Sequence, residues 1–207
     1  MTDTFDPGPA PAVPVARTAV QERPPGPGVT VLAGPTAVGK GTVSAYVREH
    51  YPEAWLSVSA TTRPARPGEE DGVHYYFTTP EEFDSLVEAD EMLEWAVVHG
   101  VHRYGTPRGP VVAATESGRP ALLEIDLQGA RQVRTRWPEA RFVFLAPPSW
   151  DELVRRLVGR GTESEEQRAR RLLTAREEMD ARPEFDAVVV NGDVGQAVAD
   201  LVALVSP

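Results

Sequence analysis

The sequence contains no cysteine and a single lysine, Lys40, against twenty arginines. Without cysteine the fold uses neither disulfides nor thiolate metal ligands, which suits a protein of the reducing cytoplasm. Runs of about 18 apolar residues, which a membrane span requires, are also missing. The N-terminus lacks the charged and apolar regions of a secretory signal. We therefore expect a cytoplasmic protein with no membrane partner.

Positive charge is scarce, and the formal net charge is −10 at pH 7. Proteins that bind nucleic acids gain most of their affinity by neutralising phosphates, so this charge argues against a nucleic-acid partner. A small anionic ligand is compatible with it where basic groups are gathered locally. Because arginine is used at nearly every other basic position, Lys40 is a candidate for a place that needs a compact, flexible ammonium.

The chain divides into a proline-rich tail and one α/β domain. Residues 1–27 hold seven of the twenty prolines and show no helical or strand periodicity, so we interpret them as disordered. Residues 28–207 alternate hydrophobic strands with helices, the pattern of a mostly parallel sheet covered by helices. Residues 61–106 interrupt this alternation and are predicted to form an inserted subdomain.

Individual elements are predicted from hydrophobic runs that end at Gly or Pro. The β-branched run 29–33 stops at a glycine and predicts a buried parallel strand. Residues 42–50 predict a helix, and residues 56–60 predict a second strand. Residues 93–98 predict another strand, which we expect a loop over residues 100–106 to follow.

Residues 34–42 read GPTAVGKGT and match the Gly-x-x-x-x-Gly-Lys pattern of a phosphate-binding loop. The loop follows a predicted strand and opens a predicted helix, which is the context that the pattern requires. Glycines let successive backbone N–H groups point at phosphate oxygens, and the helix adds its positive N-terminal end. The predicted ATP-binding residues are Gly34, Pro35, Thr36, Ala37, Val38, Gly39, Lys40, Gly41 and Thr42.

The metal site is less defined than the loop. Gly41 stands where Ser or Thr usually faces magnesium, and Thr42 follows one place later. This Gly-Lys-Gly-Thr form resembles that of nucleoside monophosphate kinases. We expect Mg²⁺ as the cofactor that accompanies ATP, with Thr42 and, through water, Asp126 as candidate ligands. The sequence leaves the direct protein ligand undecided.

A second anion site is indicated by Arg63 and Arg66, three apart in a loop stiffened by proline. Two guanidinium groups held close together can clamp a phosphate dianion bidentately. The alternative is an exposed basic loop beside the acidic residues 69–71. On the arginine pair alone, both interpretations stay open.

Residues 28–205 resemble the guanylate kinase family. The matching segments are Ser57 to Phe77 (SVSATTRPARPGEEDGVHYYF), Glu94-Trp95-Ala96, Tyr104-Gly105-Thr106, and residues 124–129, 159–162 and 188–191. The resemblance implies transfer of the γ-phosphoryl group of ATP to GMP, in a P-loop three-layer sandwich. It divides the domain into a core (28–60, 107–149 and 172–207), a small α+β GMP-binding subdomain (61–106) and a helical lid (150–171).

The resemblance also assigns roles to side chains. It places the GMP phosphate on Arg63, Arg66, Tyr75 and Tyr104, and guanine on Ser59, Glu94 and Thr106. It places Asp126 either on the GMP ribose or, through water, on magnesium, and Asn191 on adenine. The catalytic cations that it implies are Lys40, Arg63, Arg156, Arg160 and Arg171. Three departures from the family are the loop 100–104, which is one residue longer than the usual form, Ala37, which replaces a common loop glycine, and Glu124, where Asp is frequent.

Two other functions are compatible with the fold. Guanylate-kinase-like domains that only bind proteins degrade the phosphate-binding loop, whereas this chain keeps Lys40 and the arginine pair. A kinase for a phosphorylated sugar would keep Lys40 but has no use for Ser59, Glu94 and Thr106 together. The sequence gives no indication of the oligomeric state.

Overall fold

A computed structural model describes residues 28–98, 101–158 and 165–205, so the predicted tail lies outside the described residues. The described strands are β1 (Val29–Ala33), β2 (Trp55–Leu56), β3 (Ala60–Thr61), β4 (Tyr76–Phe77), β5 (Met92–Val98), β6 (His102–Pro107), β7 (Ala121–Glu124), β8 (Arg141–Ala146) and β9 (Ala187–Val190). The described α-helices are α1 (Lys40–His50), α2 (Pro80–Glu88), α3 (Arg108–Glu116), α4 (Leu127–Arg136), α5 (Trp150–Val158), α6 (Glu165–Asp180) and α7 (Val194–Val205). None of these helices is long and apolar enough to cross a membrane.

The larger sheet is parallel throughout, with the strand order β2-β7-β1-β8-β9. Strand β1 lies at its centre, where Val31 is in register with Leu123 of β7 and Phe142 of β8. The crossover from β1 to β2 runs to one side of β1, whereas the crossover from β7 to β8 runs to its other side, an arrangement that leaves a crevice at the carboxyl ends of the strands. Ligands of open α/β sheets bind in such a crevice.

Both faces of this sheet are covered, and every residue of β1 is buried. Leu32 packs on one face with Val43 of α1 and Leu201 of α7. Val31 packs on the other face with Val111 of α3 and other residues from α4. Each such side chain contributes about 1.5–3 kcal/mol when fully buried. The predicted three-layer α/β sandwich is therefore confirmed.

The smaller sheet has the order β4-β3-β6-β5 and packs against α2 through Phe83, which is buried with Ala60 and Met92. A capping box starts α2. Thr79 accepts from the Glu82 backbone at 3.1 Å, and the Glu82 carboxylate accepts from the Thr79 N–H at 2.8 Å. The helix thereby provides a small hydrophobic core for a sheet whose β3 and β4 strands have only two residues each.

The prediction of one strand over residues 56–60 is wrong. The segment is split between β2, which pairs with β7 in the larger sheet, and β3, which pairs with β4 and β6 in the smaller one. Ser57 makes a backbone bond to Leu122 at 3.0 Å, beyond which the chain leaves the larger sheet. Hydrophobic periodicity does not distinguish which of two sheets a short segment joins.

The prediction of a loop over residues 100–106 is also wrong, because β6 begins at His102 and pairs antiparallel with β5. Gly105 obscured the strand in the sequence. It is required by close packing, since a Cβ atom there would lie 2.7 Å from the carbonyl oxygen of Glu94. The pairing places Thr106 directly opposite Glu94.

Candidate active site

The phosphate-binding loop begins where β1 ends and turns sharply into α1. Ala37 and Gly39 have left-handed φ angles of 66° and 98°, and α1 starts directly after Gly39. Glycine adopts such angles freely, whereas for Ala37 the conformation costs about 1 kcal/mol. The loop leads to the N-terminus of a helix, where unpaired backbone N–H groups attract anions.

Lys40 lies in the first turn of α1, and its ammonium is turned back along the loop. Nζ donates to the Gly34 carbonyl at 2.7 Å and approaches the Pro35 carbonyl at 3.5 Å. Burial lowers the pKa of Lys40, and three nearby carboxylates oppose that shift. These carboxylates belong to Glu178, Glu124 and Asp126. The loop therefore holds the Lys40 ammonium in a fixed, partly desolvated position.

Two side chains from later in the chain support the loop at the Val38 carbonyl. Asn191, buried after β9, donates from Nδ2 to that oxygen at 2.8 Å. Arg156 of α5 donates to the same oxygen at 3.1 Å and to the Asn191 carbonyl at 3.3 Å, while Glu152 accepts from its Nε at 3.0 Å. The structure brings both residues to the loop. The adenine contact of Asn191 and the catalytic role of Arg156 stay predictions.

Arg63 forms the centre of a second basic site. Its guanidinium is buried and binds the Glu69 carboxylate through two hydrogen bonds of 2.9 Å. The hydrogen bonding between Arg63 and the Glu69 carboxylate raises the pKa of Arg63 and lowers the pKa of Glu69 to about 2. Glu69 also accepts from the Arg66 N–H at 2.7 Å. The loop is thus ordered around this ion pair, with the Arg66 side chain exposed beside it.

Two tyrosines complete the basic site. The Tyr104 hydroxyl accepts from Nε of Arg63 at 3.1 Å. The Tyr75 ring lies 5.3 Å from Cζ of Arg63 and meets the Tyr104 ring edge-on at 5.8 Å. Burial raises the pKa of Tyr75, so its hydroxyl stays protonated and able to donate near neutral pH. The structure therefore groups Arg63, Arg66, Tyr75 and Tyr104, as a shared phosphate ligand requires.

A buried carboxylate lies at the other end of this half of the site. Glu94 of β5 accepts from the Thr106 hydroxyl across the strand pair at 2.6 Å, and both side chains are buried. Burial raises the pKa of Glu94 to about 7, although the Thr106 hydrogen bond opposes the rise. Ser59 is half-buried directly before β3, which pairs with β6, the strand that carries Thr106. A carboxylate in this setting needs hydrogen-bond donors from a ligand.

Asp126 lies between the two halves. Its Oδ1 caps α4 by accepting from the Gly129 N–H at 2.7 Å. Its charge opposes the fall in the pKa of Lys40 and adds to the rise in the pKa of Glu94. Glu124, at the end of β7, is similarly an electrostatic neighbour of both Lys40 and Tyr75. The two sites therefore lie close to one another, and Glu124 Oε1 is 3.8 Å from where a Cβ atom of Gly41 would lie.

Two residues of the site escaped sequence reasoning. The sequence assigns Glu69 no role in the site, although its position three residues after Arg66 is a signal for an ion pair. Glu178 accepts from the Thr36 N–H at 2.8 Å, and burial raises its pKa. Its position in the charged helix α6 gave no signal in the sequence. Arg171 is half-buried on α6, whereas Arg160 lies outside the described residues.

Comparisons with known proteins identify the family to which this chain is similar. The family model described as guanylate kinase matches residues 27–206. A guanylate kinase from Leifsonia xyli subsp. xyli is 61% identical over 85% of this chain and 69% of its own. One from Cutibacterium acnes is 60% identical over 86% and 89%. A crystal structure of guanylate kinase from Anaplasma phagocytophilum has a TM-score of 0.69 at 32% identity, covering 86% of this chain and 84% of that one. The chain belongs to the guanylate kinase family.

Proposed function

We propose that this protein is an ATP-dependent nucleoside monophosphate kinase that reversibly transfers the γ-phosphoryl group of ATP to GMP. One observation carries the proposal: Asp126 caps α4 at Gly129, on which the buried Glu94 carboxylate rests, while Glu124 of the neighbouring strand end lies beside Gly41 of the phosphate-binding loop. The sites proposed for donor and acceptor therefore lie close together. Family membership supports the same reaction.

The reaction needs positioning and charge neutralisation more than proton transfer. The attacking oxygen belongs to the GMP phosphate, which is largely a dianion near pH 7, so a general base is unnecessary. The obstacle is repulsion between two polyanions. Lys40, held at the Gly34 carbonyl, provides the cation on the ATP side. Donors fixed before the reaction begins stabilise the developing charge at little reorganisation cost.

Arg63, Arg66 and the two tyrosine hydroxyls are proposed to bind the GMP phosphate. The two hydrogen bonds that Arg63 donates to the Glu69 carboxylate orient its guanidinium. Cation–π contact with Tyr75 then limits its movement. The exposed Arg66 side chain is placed to complete the clamp when a dianion arrives.

Glu94 is proposed to select guanine. Guanine presents two adjacent donors, N1–H and the 2-amino group, and a carboxylate accepts from both. Adenine presents a lone pair at N1, which the carboxylate repels. Rejection of AMP therefore combines a lost attraction with a new repulsion. Thr106 holds one carboxylate oxygen, and Ser59 is proposed to add a further contact to the base.

Kinases of this family generally need a divalent metal ion, and we assign Mg²⁺. The described part of the chain holds no group of three or more metal-ligating side chains, so most ligands would come from ATP phosphates and water, as is usual for Mg²⁺. Thr42 has an exposed position next to the loop lysine, and Asp126 is available through water. These oxygen donors fit a hard cation, which would supply further charge neutralisation when bound.

Three arginines from residues 150–171 are proposed to stabilise the transferring group. Arg156 already contacts the loop at Val38, and Arg171 follows on α6. Arg160 completes the set by its place in the family pattern. Arginines that reach a transferring phosphoryl group accelerate transfer by about 10³–10⁵. We propose that this segment acts as a lid over ATP.

We expect ATP consumption with GMP, and little with AMP, UMP, CMP or ribose 5-phosphate. A coupled assay for ADP, run with Mg²⁺ at matched acceptor concentrations, measures each rate. Preference for the sugar phosphate would overturn the guanine assignment and favour the related sugar kinase. Absence of turnover with every acceptor, together with retained GMP binding, would favour a binding module.

The KM for GMP is expected to rise as the pH falls below 7. Burial raises the pKa of Glu94 to about 7, so below this pH the group that accepts from guanine becomes protonated. The KM for GMP should then rise by up to about tenfold for each unit by which the pH falls. The measurement is KM for GMP at saturating ATP from pH 5.5 to 9 (roughly the range that brackets the pKa). The GMP phosphate also titrates near pH 6, so Glu94→Gln is the control. Identical profiles for the two proteins would contradict the role of Glu94.

A further inference from the structure

Strand β5 is the edge strand of the smaller sheet, and a side chain from α4 pairs with its free side. Gln132 donates from Nε2 to the Trp95 carbonyl at 2.8 Å, and its Oε1 accepts from the Trp95 N–H at 3.2 Å. These are the two bonds that a neighbouring antiparallel strand would make to one residue. A carboxamide is the side chain that donates and accepts in this way.

A second contact joins the same helix to the adjacent residue of β5. A Cβ atom at Gly129 would lie 2.6 Å from Oε2 of Glu94, so the carboxylate rests directly on the α4 backbone. Gly129 and Gln132 are three residues apart and share one face of the helix. One face of α4 therefore holds the Glu94 side chain and the backbone that follows it.

The helix that makes these contacts belongs to the other half of the site. It begins at Asp126, which caps it through Gly129, directly after β7 of the larger sheet. The acceptor carboxylate is therefore positioned against the donor half through α4. A displacement of β5 of a few tenths of an ångström would misalign the carboxylate with both donors of the base, because hydrogen-bond strength falls steeply with distance and angle.

We propose that Gln132 is a positioning residue that determines the affinity and selectivity of the acceptor site by holding Glu94 in place. This inference rests on the proposed phosphorylation of GMP and adds a residue to its specificity. Gln132 contacts neither substrate in this proposal and acts only through the backbone at Trp95. Its removal should therefore affect the acceptor and leave the nucleotide donor unaffected.

The test compares Gln132→Met with wild type by steady-state kinetics for GMP, AMP and ATP. Methionine keeps the length and loses both hydrogen bonds. We expect the KM for GMP to rise about tenfold and the GMP-to-AMP selectivity to fall by a similar factor. The KM for ATP should stay within about twofold of wild type. Gln196→Met on α7, where the exposed side chain donates to Asp200 at 2.9 Å, is the matched control and should leave all constants unchanged.

A double-mutant cycle distinguishes positioning from general loss of structure. In the Glu94→Gln background, Gln132→Met should change the KM for GMP much less than in wild type, because the group that it positions is already gone. Additive effects, parallel rises in the KM values for GMP and ATP, or a KM for GMP within twofold of wild type would each overturn the proposal. If Gln132→Met does not fold, Gln132→Asn, whose amide is too short to make both bonds, is judged by the same criteria. Wild type that fails to phosphorylate GMP would instead refute the proposed function.

Discussion

Replacing Lys40 with methionine is expected to lower kcat by about 10³-fold or more while leaving GMP binding nearly unchanged. The ammonium is anchored at the Gly34 carbonyl, and in the proposed reaction it is the loop cation that meets the donor phosphates. Its removal also leaves Glu178, Glu124 and Asp126 without the charge that they surround. The uncompensated carboxylates would then repel ATP as well as fail to stabilise its transfer.

The measurement is single-turnover and steady-state phosphorylation of GMP, with GMP affinity determined separately by calorimetry. Lys40→Arg is the charge-conserving control. It keeps the positive charge but replaces a compact ammonium with a planar guanidinium, so we expect only partial recovery. A Lys40→Met variant that is folded and retains more than about a tenth of wild-type kcat would contradict a catalytic role for the lysine.

The larger sheet was predictable because its central strands are buried on both faces. Short runs such as 29–33 and 141–146, which are hydrophobic apart from Thr30 and Arg141, have few alternatives to a parallel strand. The loop around Lys40 was equally predictable, since its glycines are spaced so that backbone N–H groups can point at a phosphate. Its support was not: the contacts of Asn191, Arg156 and Glu178 with the loop join positions more than a hundred residues apart, and no local pattern encodes such contacts.

The smaller sheet was less predictable for two physical reasons. Strands β3 and β4 are too short for a period to be recognised, and β6 carries polar residues with Gly105 among them. The hydrogen bonds of these segments depend on partners that the local sequence does not specify. The spacing of two arginines indicated Arg63 and the family resemblance indicated Glu94, but the structure was needed to place Glu69 on the first and Gln132 beside the second.

The second large effect is expected at Glu94, where substitution should change activity and stability in opposite directions. Glu94→Gln should lower kcat/KM for GMP by roughly 100-fold, because a neutral amide oxygen accepts more weakly and its NH₂ group faces the guanine donors. Selectivity against AMP should largely disappear, since an amide can both accept from and donate to adenine. The ratio of kcat/KM for the two nucleotides measures this directly.

The same variant should be more stable at alkaline pH than wild type. In the folded wild type the pKa of Glu94 is raised from 4.5 to about 7. The folded state therefore holds the proton more tightly than the unfolded state, and wild-type stability declines as the pH rises from 4.5 to 7. By pH 8 the loss amounts to as much as about 3 kcal/mol, which glutamine avoids. In denaturant unfolding, the variant should exceed wild type in free energy of unfolding at pH 8, and this difference should disappear near pH 4.5.

These opposite signs distinguish a recognition group from a structural one. If the carboxylate served mainly as the partner of Thr106, its replacement would destabilise the protein and leave nucleotide preference intact. Glu94→Asp provides the control for charge without reach: it should retain the pH-dependent loss of stability and yet bind GMP poorly. The buried Glu94 carboxylate lowers the stability of the free protein because it lacks hydrogen-bond donors. Only a base with two adjacent donors offsets this desolvation cost on binding, so the same carboxylate favours guanine.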